Sequence, residues 1–174
     1  QKLIELWQQF KAVKVTCSID DLEDRNEYLR TGTKWEQVLD NLDTLQQLPW
    51  INVSVCQTVS WMNIFYMNEF HEFMTARDIP VYLNFVHDPK FLSVRVLPRS
   101  KLLDILQFCD RLPKYQLDNI RANLSVEENV EQWSNGVKYN AWHDSSRNTY
   151  IVKTFPRIFE ILPKSVREKV EAVC

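Results

Sequence analysis

Apolar residues recur along this chain with two different periods, and the two periods alternate. Residues 1–11 place Leu3, Ile4, Leu6, Trp7 and Phe10 at helical spacing. Residues 12–19 (AVKVTCSI) change to strict alternation, with Val13, Val15, Cys17 and Ile19 on one face, and this predicts a strand. A polar, acidic loop follows from Asp20 to Thr33. Thr33, with Glu36 three residues later, reads as the capping box of a helix over 34–48. That helix carries Trp35, Val38, Leu39, Leu42, Leu45 and Leu48 on one side and stops before Pro49. Residues 51–59 (INVSVCQTV) alternate again. Asn63 is an N-cap candidate for an aromatic-rich helix running to Arg77. Residues 80–86 (PVYLNFV) predict a third strand, and 91–97 (FLSVRVL) a further extended run.

The resulting order, α-β-α-β-α-β, implies parallel strands joined by right-handed helical crossovers, hence an α/β sheet or barrel segment. Beyond Pro98 the pattern is helical over 100–111, 114–123, 126–133, 137–149 and from Lys164 onward, with Asn135-Gly136 as a turn. Residues 1–98 are therefore expected to form the α/β unit and 99–174 a helical extension packed on it. In that extension Trp133, Trp142, Phe155 and Phe159 are expected to be buried. Three parallel strands make a small sheet, with two free edges and one poorly covered face. A start without Met, in the middle of a helical pattern, reads as a piece of something longer.

Composition narrows the chemistry. Only two glycines occur, Gly32 and Gly136, too few and too far apart for a Walker loop, a dinucleotide fingerprint or a nucleophile elbow. Lysine and arginine number 21 against 23 acids, a net charge of −2, which argues against a nucleic-acid or membrane-surface partner. Cys17, Cys56, Cys109 and Cys174 are too widely spaced for a zinc or redox motif. An even count allows two disulfides, but free thiols in a reducing, cytoplasmic setting are the expectation. No window of about 18 apolar residues occurs, so no membrane span is expected. His71, His87 and His143 are scattered, and neither a metal site nor a catalytic triad is expected.

Polar groups concentrate where α/β sheets bind ligands, at the carboxyl ends of the strands. Ser18 with Asp20 and Asp21 ends the first strand, and short hydroxyls and carboxylates there suit ribose hydroxyls or an ammonium group. Asp20 and Asp21 also suit a solvated turn. Arg30, two residues before Gly32, suits a carboxylate clamp or a surface pair with Glu27 or Asp24. Gln57-Thr58 leaves the second strand.

These residues lie in a longer resemblance. KVTCSIDDLEDRNEYLRTGTKWEQVLDNLDTL resembles the fourth-strand region of radical S-adenosylmethionine enzymes: a strand ending in Ser-Ile-Asp, a loop with Arg-x-Gly, then a helix marked by Trp35, Val38, Asn41, Leu42 and Leu45. INVSVCQTVSWMN resembles the fifth strand and the start of its helix, and PVYLNFV the sixth. Asp144 to Asn148 and Thr154-Phe155-Pro156 are similar to the tail of viral and bacterial twitch-domain radical proteins. The resemblance implies strands four to six of a partial (β/α)6 barrel, the carboxyl-terminal half of such an enzyme, with S-adenosylmethionine as cofactor. It implies that Ser18 and Asp20 lie by the ribose or methionyl part, that Arg30 holds the methionyl carboxylate, and that Thr58, Val86 and His87 lie near the nucleoside. The family's Cys-x-x-x-Cys-x-x-Cys motif, which binds a [4Fe–4S] cluster, is absent, so this chain supplies no cluster ligands and is expected to be inactive alone. The substrate is unspecified, a peptide or protein among the options. Two other readings stand beside this one: a DxD-type nucleotide-sugar transferase with a metal on Asp20 or Asp21, and a non-catalytic interaction module that binds a partner through its aromatic surface or self-associates through an exposed sheet edge.

Overall fold

A computed structural model describes residues 2–126 and 130–161. The first helix, α1 (Lys2–Trp7), buries none of its residues. The three expected strands form: β1 (Val13–Ser18), β2 (Ile51–Val59) and β3 (Val81–Phe85), in one parallel sheet of order β1-β2-β3. The register pairs Val13 with Ile51, Cys17 with Val55, and Val59 with Phe85. The protein is thus mixed α/β.

Between β1 and β2 lie α2 (Glu23–Leu29) and α3 (Trp35–Gln46), and β3 follows α4 (Met67–Thr75). Trp35 and Leu42 of α3 and Phe70 and Met74 of α4 share one buried cluster with Val55 and Val81. Both crossovers therefore cover the same face of the sheet. The opposite face presents Lys14, Thr16, Ser18, Asn52, Tyr82 and Asn84, all exposed, with Thr16 and Ser54 sharing a hydroxyl hydrogen bond of 2.9 Å across it. Period-two alternation makes this division, since neighbouring side chains point to opposite faces.

The rest of the chain packs against this α/β unit. It comprises α5 (Leu102–Leu106), α6 (Lys114–Leu124), α7 (Val130–Arg147), α8 (Ile151–Thr154) and α9 (Pro156–Ile161). A second buried cluster joins Val59, Phe65 and Val94 to Ile105, Ile120 and Phe155, so one core runs through residue 98. Among the described residues no helix is long and apolar enough to cross a membrane.

Several local expectations are corrected. The acidic stretch 20–33 contains α2, whose buried face is only Asn26 and Tyr28, too sparse to produce a helical apolar period. Residues 91–97 are not extended: 3-10 turns span Lys90–Leu92 and Val94–Val96, with Ser93 accepting from the Arg95 N–H. Their alternation mimics a strand because Val94, Val96 and Leu97 are buried against the tail. Asn135-Gly136 is not a turn but lies inside α7, which replaces the two shorter helices expected over 126–149. The helix expected from 100 to 111 is short, breaking after Leu106. Phe155 and Phe159 are buried, whereas Trp142 is 65% exposed. The Trp133 side chain and the helix expected from Lys164 fall outside the described residues.

Candidate functional site

Asp20 leaves the end of β1 and ties the sheet to the elements around it. Its N–H donates to Asn26 Oδ1 (3.1 Å) in α2, and its carbonyl accepts from Gln57 Nε2 (3.0 Å) and Asn63 Nδ2 (2.7 Å). Its carboxylate accepts the Thr58 N–H at 2.9 Å. Arg30 completes the set: Nε lies 2.8 Å from Oδ2, and Nη2 donates to Oδ1 at 3.2 Å. The expected carboxylate clamp thus holds the carboxylate of Asp20, ten residues upstream, and neither Glu27 nor Asp24 is its partner. Glu27 instead accepts the first N–H of α3, from Trp35 (2.8 Å), and pairs with Lys34 (3.0 Å). Thr33 donates to the Arg30 carbonyl and does not cap α3. Asn63 is likewise not a side-chain cap: it accepts from the Ser60 N–H (2.8 Å) and donates to the Asp20 and Thr58 carbonyls.

Asp21, fully buried, points elsewhere. One oxygen accepts from the Leu22 N–H (2.8 Å) and Arg25 Nε (3.0 Å), while Oδ2 has no partner. Arg25 continues to Glu69 of α4 (3.0 Å), and Glu69 pairs in turn with Arg157 of α9. Both guanidinium groups lie over the Tyr66 ring, at 4.2 and 4.7 Å from its centroid. Burial outweighs Arg25 and pushes the Asp21 carboxyl up to about 7. Asp20 and Asp21 therefore turn to different arginines and present no common acidic face. Among the described residues no group of three or more His, Cys, Asp or Glu is placed to hold a metal ion, and Cys17, Cys56 and Cys109 are free thiols.

A pocket of about 170 Å³ opens at the strand ends. Asp20, Thr58 and Val86, one residue following or closing each strand, contribute to its lining, as does Ser60. Three of the six residues singled out from sequence are thus brought together. Arg30 touches this group only through Asp20. Ser18 is exposed on the open face of the sheet, and His87 is exposed beyond β3. The far wall comes from α2 and α7: Tyr28, Tyr139, Asn140 and His143. Tyr28 Oη donates to Asn140 Oδ1 at 3.3 Å, and the Tyr28 and Tyr139 rings lie 5.0 and 5.9 Å from the His143 ring. No spacing in the sequence marks these wall residues, because Tyr28 and Asn140 are 112 positions apart. A buried tyrosine in an otherwise acidic stretch is the one signal that points at Tyr28.

The pocket offers a carboxylate acceptor, two small hydroxyls and flat aromatic walls. Such a lining suits a hydroxyl-bearing, planar ligand group. Comparison of the chain with protein-family models, with curated proteins and with solved structures finds no match.

Proposed function

We propose that the strand-end pocket is part of an S-adenosylmethionine site, in a sheet equivalent to strands four to six of a radical S-adenosylmethionine barrel. The observation that carries this reading is the convergence of Asp20, Thr58 and Val86 on one pocket faced by Tyr28 and Tyr139. Crossovers on a single face of a sequentially ordered parallel sheet, with a polar open face opposite, also favour a barrel segment over a doubly wound sheet. At about 170 Å³ the pocket takes part of the cofactor, its nucleoside, with Asp20 accepting from ribose hydroxyls. Arg30 then divides between Asp20 and the methionyl carboxylate, with Ser18 and His87 at the margin.

The described residues do not fit a [4Fe–4S] cluster. Cys109 is wholly buried with its thiol pushed up to about 12, and Cys17 and Cys56 lie on opposite faces of the sheet. In this proposal the cluster ligands lie outside this sequence. When bound, the cofactor with its cluster supplies radical hydrogen abstraction; this chain's part is to bind and orient.

Calorimetric titration of S-adenosylmethionine into the protein tests the reading. We expect binding, weakened in Arg30→Ala by about 1.5–3 kcal/mol, the usual worth of a hydrogen bond to a charged group. No binding by the parent protein sinks the site, and equal affinity in the variant removes Arg30 from it. An interaction module remains a second reading, favoured by one observation: Leu3, Leu6 and Phe10 are each more than half exposed, preceding edge strand β1. Sedimentation at rising concentration separates a self-associating chain from a monomer.

A further inference from the structure

Behind the aromatic wall of the strand-end pocket lies a second concavity, an open groove of about 440 Å³. One bank is the turn from α2 to α3, with Thr31 and Gly32. The other runs from the end of α7 through the turn into α8, with Arg147, Asn148 and Lys153. Tyr28 and His143 line both spaces and separate them.

The second bank is built by the tail segment that the sequence singles out. Asn148 adopts a left-handed conformation (φ 54°), and the Thr149 N–H returns to the Asp144 carbonyl at 3.1 Å, a Schellman closure of α7. The Asp144 carboxylate is turned inward, accepting from the Thr149 hydroxyl (2.9 Å) and the Ile151 N–H (2.8 Å). The closure leaves Arg147 and Lys153 over the groove without a carboxylate from their own bank.

Charge and hydrogen-bonding capacity then decide what fits. Glu27 and Lys34 neutralise each other at 3.0 Å, and the second Glu27 oxygen is taken by the Trp35 N–H. Arg147 and Lys153 remain against one free acid, Asp24; Lys153 and Asp24 have no ion-pair or hydrogen-bond partner among the described residues. Arg147 donates to the Thr31 hydroxyl and faces His143 Nε2, and a guanidinium keeps further N–H groups beyond these two. Since arginine only donates, His143 Nε2 accepts, which puts the proton of the neutral ring on Nδ1. Nδ1 is buried and has no partner. Burial and Arg147 both hold the His143 pKa down, so the ring is neutral at pH 7. The lining therefore carries unmet donors and surplus positive charge.

We propose that this groove binds the oxyanion of a second ligand, a phosphate or a carboxylate, with Arg147 and Lys153 supplying the charge and the donors and the His143 ring, against Arg147, lying beside them. The site stands apart from the identity of whatever fills the strand-end pocket, and its test needs no cofactor. The His143 ring ¹³Cε1 resonance is followed in the full chain as inorganic phosphate, acetate or sodium chloride is added at matched ionic strength. Phosphate or acetate is expected to shift it and to raise the His143 pKa, since a nearby anion favours the imidazolium; the more effective anion identifies the chemistry. Lys153→Gln should weaken that anion about tenfold, the worth of one charged hydrogen bond, and Asp24→Asn should tighten it. Both side chains are exposed, and unchanged thermal melts confirm that the fold is kept. A His143 signal no more sensitive to phosphate or acetate than to chloride overturns the proposal. So does an affinity that neither variant changes.

Discussion

Gly136 lies in the interior of α7, where a glycine ordinarily weakens a helix. A methyl group there would meet the Phe91 carbonyl oxygen at 2.9 Å, and that same oxygen accepts the Trp61 indole N–H at 3.0 Å. The glycine thus permits a close approach of helix and turn, and through it sets where Tyr139, Asn140 and His143 stand at the pocket. Its neighbour Asn135 makes the pair look like a turn in sequence, because only the facing backbone reveals the other use of glycine. Gly136→Ala is expected to destabilise the protein by about 1–3 kcal/mol, the cost of overpacking. An exposed helical glycine would instead gain up to about 1 kcal/mol from the same change. The sign of the shift in a denaturant titration decides between them.

Among elements, α3 shows how local and tertiary signals divide the work. Its apolar face, Trp35, Val38 and Leu42, is legible from spacing alone and packs as expected. Its start is different. Thr33 has the right residue type and spacing for a capping box, yet its hydroxyl is committed to the Arg30 carbonyl, and Glu27 of α2 takes the Trp35 N–H instead. Glu27→Ala should therefore lower the melting temperature more than Thr33→Ala does, the reverse of the order that the sequence suggests. The hydrogen bond from the Trp35 N–H, then Lys34, holds the Glu27 carboxyl below its ordinary value. The difference between the two variants should accordingly be full at neutral pH and shrink as the pH falls below about 4.5, where the carboxyl protonates.

Across the whole molecule, two buried groups make opposite demands on the proton. Asp21, pushed up to about 7 by burial, keeps a proton in the native state that the unfolded chain releases above 3.8. Its contribution to stability therefore falls as pH rises from about 4 to 7. His71 is held down to about 4 by burial, so the unfolded chain protonates first, below 6.5. Its contribution falls as pH drops from 6.5 to 4. Chemical denaturation between pH 4 and 8 separates the two. Relative to Asp21→Asn, the parent protein should lose stability as pH rises through that acidic window; relative to His71→Gln, it should lose stability as pH falls. A slope of the opposite sign in either comparison would refute the assignment. Asp21 also heads the run of side-chain contacts through Arg25 and Glu69 to Arg157, which ties α2, α4 and α9 to the end of β1. Glu69→Gln should loosen α9 first, seen as faster amide exchange in residues 157–161 than in β2.

The sequence by itself determined the three strands, their parallel order and the two covering helices, because period-two and helical spacings are local properties of the chain. It also placed Asp20, Thr58 and Val86 at the strand ends, where ligands bind in such sheets. Only the tertiary structure decided what those residues touch. Arg30 turned to Asp20 because the chain doubles back through α2, and Tyr28 reached Asn140 because α7 lies across the strand ends. The groove beyond them exists only where two distant turns face each other. Periodicity records which side of an element is buried; it carries no record of which buried sides meet.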